Sequence, residues 1–113
     1  MPTVWVLHPV REDISAAAQH GTVRYIVDAD VEGRNGRYVY GDELTEDGLL
    51  PVEVTKRLRE AAINFEDHDL LLIAGDHLQL VQMTYFLTLQ WSQFKVLRYD
   101  RDAKGYWPAV ISS

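Results

Sequence analysis

A short run of apolar residues, 70–74 (LLLIA), constrains the fold of this chain more than any other feature. Such a run predicts a central parallel strand that is covered on both faces. Asp76 and Gln79 follow at the spacing of a capping box and predict a helix over residues 77–92. Residues 94–99 then alternate as a further strand. A strand, a helix and a strand in this order require a crossover, so we expect the two strands to be parallel.

The N-terminal part of the chain contains shorter signals. Residues 3–7 are β-branched and aromatic, which is typical of a buried strand, and residues 22–27 predict a second strand. Between them, Asp13 can cap a short helix over residues 14–20. Gly21 then suits the position after that helix, where a positive φ favours glycine.

Turn signals predict two hairpins and the start of a long helix. The Asn-Gly pair within residues 34–37 predicts a hairpin between the segments on its two sides. A turn at residues 100–105 predicts a closing hairpin with the strand 106–111. Pro51 suits the first turn of a helix, and apolar residues then recur at helical spacing as far as Phe65.

These elements predict one α/β domain spanning residues 1–113. We expect a mixed, partly parallel sheet of five or six strands, with two main helices and one short helix. A length of 113 residues suits a single domain, and 47% hydrophobic residues are enough to form a core. The chain has no cysteine, which excludes disulfides, thiolate zinc sites and cysteine nucleophiles. No signal peptide or membrane span is indicated, so we expect a cytoplasmic protein without membrane contact.

The candidate ligand-binding residues lie where predicted strands end. Gly75, Asp76 and His77 follow the central strand, His8 follows the first strand, and Asp28 follows the second. Ligands of open α/β sheets bind at such ends, and the free N–H groups of a helix N-terminus suit an anion. These residues predict a small-ligand or nucleotide site, in a binding protein or an enzyme. A purely structural explanation, a helix cap after a tight turn, accounts for Asp76 and Gly75 equally well.

The sequence does not indicate catalysis, a cofactor or a metal. Neither phosphate-loop fingerprint is present, and the four histidines do not have metal-ligand spacing. The tetrad of residues 66–69 (EDHD) is expected to face solvent before the central strand. We therefore assign no catalytic residue, expect no cofactor or metal, and leave the question of enzymatic activity open, with binding favoured.

An acidic stretch, residues 28–53, is the most distinctive surface feature. It contains eight Asp or Glu residues and two Arg residues, a net charge of −6. A negative surface can steer binding to a basic partner, although it can also serve only to keep a loop solvated. The candidate partner-binding residues are Asp42, Glu43, Glu46, Asp47, Tyr38 and Tyr40. Direct binding to nucleic acid is not expected, because phosphate contacts need clustered Lys and Arg.

The helix 77–92 is apolar nearly all round, which favours burial in a core or at an oligomer interface. The candidate interface residues are Met83, Phe86, Leu87 and Trp91, in a homodimer or in a structural homo-oligomer whose role is assembly. The alternative is simple core packing beneath the closing hairpin.

Three segments carry a resemblance to known proteins: residues 70–76 (LLLIAGD), 96–100 (VLRYD) and 105–108 (GYWP). Over roughly the C-terminal 45 residues, the chain resembles small α/β accessory proteins of tailed bacteriophages. The resemblance carries over no catalytic residue. It implies a protein made in the cytoplasm of an infected bacterium, where many such proteins bind a host protein. The leading prediction is therefore a non-enzymatic interaction protein whose acidic face binds a basic host protein.

Overall fold

The computed structural model describes residues 1–27 and 44–112, together with the backbone of residues 31–32 and 38–39. The main sheet contains five strands, β1 (Thr3–Val6), β2 (Thr22–Tyr25), β5 (Leu70–Leu72), β6 (Gln93–Asp100) and β7 (Gly105–Ser112). A separate pair consists of β3 (Val31–Glu32) and β4 (Tyr38–Val39). The helices are α1 (Val52–Asn64), α2 (His77–Thr88) and a short 3₁₀ helix, Ser15–Gln19.

The main sheet is mixed, with the spatial order β2-β1-β5-β6-β7. The pairs β1/β2, β1/β5 and β5/β6 are parallel, whereas β6/β7 is an antiparallel hairpin. The crossover from β5 through α2 to β6 is therefore confirmed, as are the closing hairpin and the α/β fold class. The segments on either side of the Asn-Gly signal pair in antiparallel fashion, with Val31 opposite Val39. The turn between them lies outside the described residues.

Both long helices pack on one face of the sheet. Val54 and Leu58 of α1 and Met83 of α2 are fully buried in this layer. They pack in one cluster with Trp5 and Leu7 from the end of β1. Each fully buried aliphatic side chain of this kind contributes about 1.5–3 kcal/mol of transfer free energy. This layer contains more buried side chains than the layer on the opposite face of the sheet, so it contributes more to stability.

The opposite face of the sheet is covered by the chain between β1 and β2. Ala17 of the 3₁₀ helix is fully buried against Val6, Leu72 and Leu97. Tyr106 of β7 completes this second cluster.

Gly21 is required for a different reason from the one that the sequence suggested. Within the described residues, the glycines with positive φ are Gly48 and Gly75. A Cβ on Gly21 would lie 2.3 Å from the carbonyl oxygen of Pro2, which accepts a hydrogen bond from the N–H of Thr22. The close approach of two backbones, rather than left-handed geometry, excludes a side chain here. The prediction of positive φ was wrong.

The capping prediction for α2 is confirmed, and its extent is corrected. Asp76 is the N-cap, and its Oδ2 accepts a hydrogen bond from the N–H of Gln79 at 2.9 Å. The helix ends at Thr88 instead of residue 92, because the chain turns at Leu89 to enter β6. Within the described residues, no helix is long and apolar enough to cross a bilayer.

Asp69 departs from the expectation that residues 66–69 face solvent. Its carboxylate is buried and accepts hydrogen bonds from the N–H groups of Thr3 and Glu66 and from the indole of Trp5, at 2.9–3.1 Å. Burial raises the pKa of Asp69, but these three donors and the charge of His68 outweigh burial and hold the pKa below its usual value. The carboxylate therefore fastens the start of β5 to β1.

Candidate functional site

The connections of the sheet reverse direction between β1 and β5. From β1 the chain moves to β2 on one side, whereas from β5 it moves to β6 and β7 on the other side. The carboxyl ends of β1 and β5 are adjacent and parallel, because Trp5 lies opposite Leu71. Connections that leave two neighbouring strands in opposite directions open a crevice between them, and ligands of α/β proteins bind at this place.

His8 and Asp76 join the two strand ends at this crevice. The backbone N–H of Asp76 donates a hydrogen bond to Nε2 of His8 at 2.9 Å. The other ring nitrogen, Nδ1, lies 2.8 Å from the carbonyl oxygen of Pro9. Because Nε2 accepts, the hydrogen bonds assign the proton to Nδ1, which donates to Pro9 in the neutral ring.

Gly75 lies against the His8 ring and has a φ of +99°. A Cβ at this position would lie 2.9 Å from Nε2 of His8. Both the backbone angle and the space therefore favour glycine. The imidazole of His8 therefore fixes one side of the turn from β5 into α2. The other side of this turn faces a cavity.

Two of the four N-terminal N–H groups of α2 already have acceptors within the chain. The N–H of Asp76 donates to His8, and the N–H of Gln79 donates to the Asp76 carboxylate. The carboxylate occupies the place of an anion at this helix end, and its negative charge opposes a second one. A phosphate group is therefore disfavoured at this position.

A cavity of about 580 Å³ lies at the carboxyl end of the sheet, beside this turn. Its walls come from the loop after β1, the turn after β5, the start of α2 and the hairpin β6/β7. The lining residues are Glu12, Asp13, Ile73, Ala74, Gly75, His77, Leu80, Tyr99 and Tyr106. Apolar and polar side chains thus converge on a space large enough for a small molecule.

The two tyrosines of the cavity form a pair. Tyr99 and Tyr106 are opposite each other in the hairpin, and their rings meet edge to face at 67°, with centroids 5.4 Å apart. Tyr106 is buried, whereas Tyr99 is 52% exposed. The backbone carbonyl of Tyr106 accepts a hydrogen bond from Nε2 of His20, which fastens β7 to the end of the 3₁₀ helix.

The charges at the cavity are negative. Asp13 Oδ1 accepts a hydrogen bond from the N–H of Ser15 at 2.9 Å, and donation by Ser15 lowers the pKa of Asp13. Burial raises the pKa of Tyr106, and the carboxylates of Glu12 and Asp13 raise it further. The tyrosine hydroxyl therefore stays protonated beside ionised carboxylates.

A family model described as "Phage Pam3 gp32-like protein" matches residues 6–113. The chain belongs to this family. The resemblance to phage proteins that the sequence indicated is therefore confirmed, and it extends beyond the C-terminal third of the chain. No curated protein and no solved structure matches the chain. The description of the family names no activity, ligand or partner.

The structure brings together four of the five predicted ligand-binding residues. Gly75 and His77 line the cavity, while His8 and Asp76 lie behind the turn and hold it in place. Asp28 lies outside the described residues. Sequence reasoning did not find Glu12, Tyr99 and Tyr106, because they reach the cavity from a loop and from the closing hairpin.

The predicted partner-binding residues are described only in part. Glu46 and Asp47 are exposed in a turn, and for Tyr38 only the backbone, in β4, is described. Asp42, Glu43 and Tyr40 lie outside the described residues. Whether an acidic face binds a partner stays a prediction.

The four residues proposed for an oligomer interface belong to the chain's own core. Met83, Phe86 and Leu87 are buried between α2, α1 and the sheet, and Trp91 packs against them while partly buried. Only some of the apolar side chains of α2 pack against α1 and the sheet, so this helix has one buried side and one exposed side. A second copy would meet a different set of residues, Leu78, Val81, Tyr85 and Leu89.

The described residues do not form a metal centre. Among them, no group of three or more His, Asp or Glu side chains is arranged to hold a metal ion. The side chains that line the cavity can supply hydrogen bonds, ionic attraction, aromatic contact and, through Glu12, Asp13 and His77, proton transfer.

Proposed function

We propose that this phage protein binds a small organic molecule in the cavity at the carboxyl ends of β5 and β6. The observation that supports this proposal is the position of the cavity. A space of about 580 Å³ lies at the end of the sheet beside the point where its connections reverse, and polar side chains from four segments converge on it. Ligand pockets of α/β proteins occur at such places and have about 300–1,000 Å³ of volume.

The walls of the cavity are held before any ligand arrives. The Asp76 N–H to His8 bond fixes the turn that carries Gly75, and His20 holds Tyr106 through its carbonyl. Ile73 is bonded to Leu97 of the neighbouring strand. Binding to a preformed site loses less conformational freedom than ordering a loop, which favours affinity for a small ligand.

Native mass spectrometry tests this function on the protein purified gently from infected cells. We expect a bound mass of a few hundred daltons. The variant Ala74→Trp fills the cavity and should lose that mass, whereas Ala103→Trp, in the exposed turn of the closing hairpin, should retain it. Circular dichroism confirms that both variants fold. A parent protein without added mass, or a folded Ala74→Trp variant that keeps it, would contradict the proposal.

A second candidate function is the binding of a basic host protein in the bacterial cytoplasm. It is favoured by the turn at residues 44–49, where Glu46 and Asp47 are exposed between Leu44 and Leu49, which are 39% and 64% exposed. The hydroxyl of Thr45 accepts a hydrogen bond from the N–H of Leu49, and the N–H of Thr45 donates to the Leu49 carbonyl. An ordered turn that presents two carboxylates beside apolar side chains is the kind of surface that a basic partner recognises.

Charge-neutral variants test the second function. The change Glu46→Gln with Asp47→Asn should weaken the association with a host protein that co-purifies with the parent. The control, Asp67→Asn with Asp102→Asn, removes the same charge from other exposed positions and should have little effect. Adding Asp42→Asn and Glu43→Gln to the first variant should abolish binding and leave the fold intact. Equal binding by all variants would contradict the acidic-face proposal.

A further inference from the structure

We propose that the ligand of the cavity is an organic cation, an amine attached to a flat or apolar body. This inference rests on the proposed function and names its ligand class. It follows from three features of the walls: two carboxylates, a pair of tyrosine rings, and an apolar floor.

The carboxylates give the cavity its charge. Glu12 and Asp13 lie in the loop after β1, and the hydrogen bonds of Ser15 keep Asp13 ionised. Among the described residues that line the cavity, none is Lys or Arg. An anionic ligand would meet two negative charges and neither Lys nor Arg among these residues, whereas an ammonium group would find two acceptors.

The tyrosine pair gives the cavity a surface that attracts cations. The edge-to-face arrangement of Tyr99 and Tyr106 places the edge of one ring towards the face of the other, and Tyr99 remains half exposed at the wall. A cation within about 6 Å of such a ring face is attracted by its quadrupole. Carboxylates and aromatic faces in one cavity therefore select the same kind of ligand.

The apolar residues define the rest of the ligand. Ile73 and Ala74 continue from β5, and Leu80 faces the cavity from the first turns of α2. These side chains offer no hydrogen bonds, so they suit a hydrocarbon or aromatic body. The protonated hydroxyl of Tyr106 is a further donor or acceptor for a polar substituent on that body.

The closing of the helix N-terminus supports the same ligand class. In many α/β proteins this position binds phosphate through free N–H groups. Here the N–H groups of Asp76 and Gln79 already donate to His8 and to the Asp76 carboxylate. Two of the four N–H groups that could attract an anion at this helix end are therefore engaged within the chain.

Three probes of similar size and different charge test the inference. Phenethylamine is a cation, 2-phenylethanol is neutral, and phenylacetate is an anion. Each is titrated into the ¹⁵N-labelled protein, and the amide shifts of Gly75, His77 and Tyr106 report the occupancy of the cavity. We expect phenethylamine to bind about tenfold more tightly than 2-phenylethanol, and phenylacetate to leave these residues unchanged.

Matched variants assign the effect to the cavity. Glu12→Gln with Asp13→Asn should weaken phenethylamine binding about tenfold, because Asn keeps the oxygen that accepts from Ser15 but loses the charge. Glu46→Gln with Asp47→Asn removes the same net charge elsewhere and should not change it. Tyr99→Leu should weaken binding and keep the apolar contact.

The outcomes separate the ligand class from the proposed function. If phenylacetate or 2-phenylethanol perturbs the cavity residues as strongly as phenethylamine, the cavity binds ligands and the cation assignment is wrong. If the two charge variants weaken binding equally, the carboxylates of the cavity are not responsible and the assignment is again wrong. If none of the three probes perturbs these residues, the assignment and the proposed function both fail.

Discussion

The backbone N–H of Asp76 donates to Nε2 of His8 across 68 positions of sequence, at a distance of 2.9 Å. This bond joins the loop that follows β1 to the N-cap of α2, and therefore closes the gap between the two strands where the connections of the sheet reverse. His8 is a positioning residue in this account. His8 does not line the cavity. It holds the turn that contains Gly75, and Gly75 lines the cavity.

Removal of the His8 ring should destabilise the protein. His8→Ala leaves the partly buried N–H of Asp76 without this acceptor, which should cost about 1 kcal/mol. His77→Ala is the control, because it removes an exposed imidazole at the start of α2. Urea unfolding followed by tryptophan fluorescence measures both. Equal stability of the two variants would show that the His8 bond does not hold the turn.

Two glycine substitutions separate backbone strain from lack of space. Gly75 and Gly48 both have positive φ, +99° and +78°. A Cβ on Gly48 meets no atom within 4 Å, whereas on Gly75 it would lie 2.9 Å from His8. Gly48→Ala should therefore cost about 1 kcal/mol from strain, and Gly75→Ala about 2 kcal/mol or more. Thermal unfolding ranks the two variants, and a Gly48→Ala variant that is as unstable as Gly75→Ala would contradict this geometry.

Asp69 should make stability depend on acid pH. Its pKa is lower in the folded chain than in the unfolded chain, so its contribution is present above its unfolded pKa, near 4, and is lost as the pH falls through the folded value. Asp69→Asn should lower the free energy of unfolding at neutral pH by about 2 kcal/mol, because the amide presents a donor where three donors already converge. The variant should also lose less stability on acidification than the parent.

The control for Asp69 is its exposed neighbour. Asp67→Asn removes a carboxylate that is exposed in the same turn and should leave the acid limb of the stability curve unchanged. Free energies of unfolding measured by urea between pH 3 and pH 7 compare the three proteins. Parallel curves for the parent and Asp69→Asn would show that this carboxylate is not the source of the dependence.

Two leucines near the end of α2 test which residues belong to the core. Leu87 is fully buried, whereas Leu89 is 66% exposed. Leu87→Ala should cost about 2–5 kcal/mol through lost contacts and the cavity that remains, and Leu89→Ala about 0.5 kcal/mol or less. Unfolding at two protein concentrations adds a test of association. A large, concentration-dependent effect of Leu89→Ala would show that the exposed side of α2 is covered by a second copy.

The sequence predicted the fold well where local pattern and tertiary role agree. The apolar run of β5, the Asp76 cap and the alternation of β6 specify a parallel crossover without further information. The prediction was less accurate for α2, since its pattern does not distinguish a helix buried on all sides from one that packs on a sheet and exposes Val81 and Tyr85. Composition reports how apolar a helix is, and only its neighbours decide which side is covered.

The candidate site could be predicted only in part. The position of Gly75 and Asp76 at a strand end indicated where to look, and the approach of His8 followed from two adjacent parallel strands. The tyrosine pair depends on the register of a hairpin, and Glu12 depends on the path of a loop, so neither has a local signal. Asp69 is equally hard to recognise from the sequence, where it is one of the four polar residues 66–69. Only its burial in the folded chain distinguishes it from the other three.

The most direct test of the central claim is a ¹H–¹⁵N spectrum of the labelled chain, recorded with and without the small-molecule fraction of infected cells. We expect the perturbed amides to cluster at Gly75, His77 and Tyr106, around the cavity, and Ala74→Trp to abolish the change. Perturbations elsewhere, for example around Trp5 and Arg24 on the other side of the sheet, or a spectrum that does not change, would contradict it.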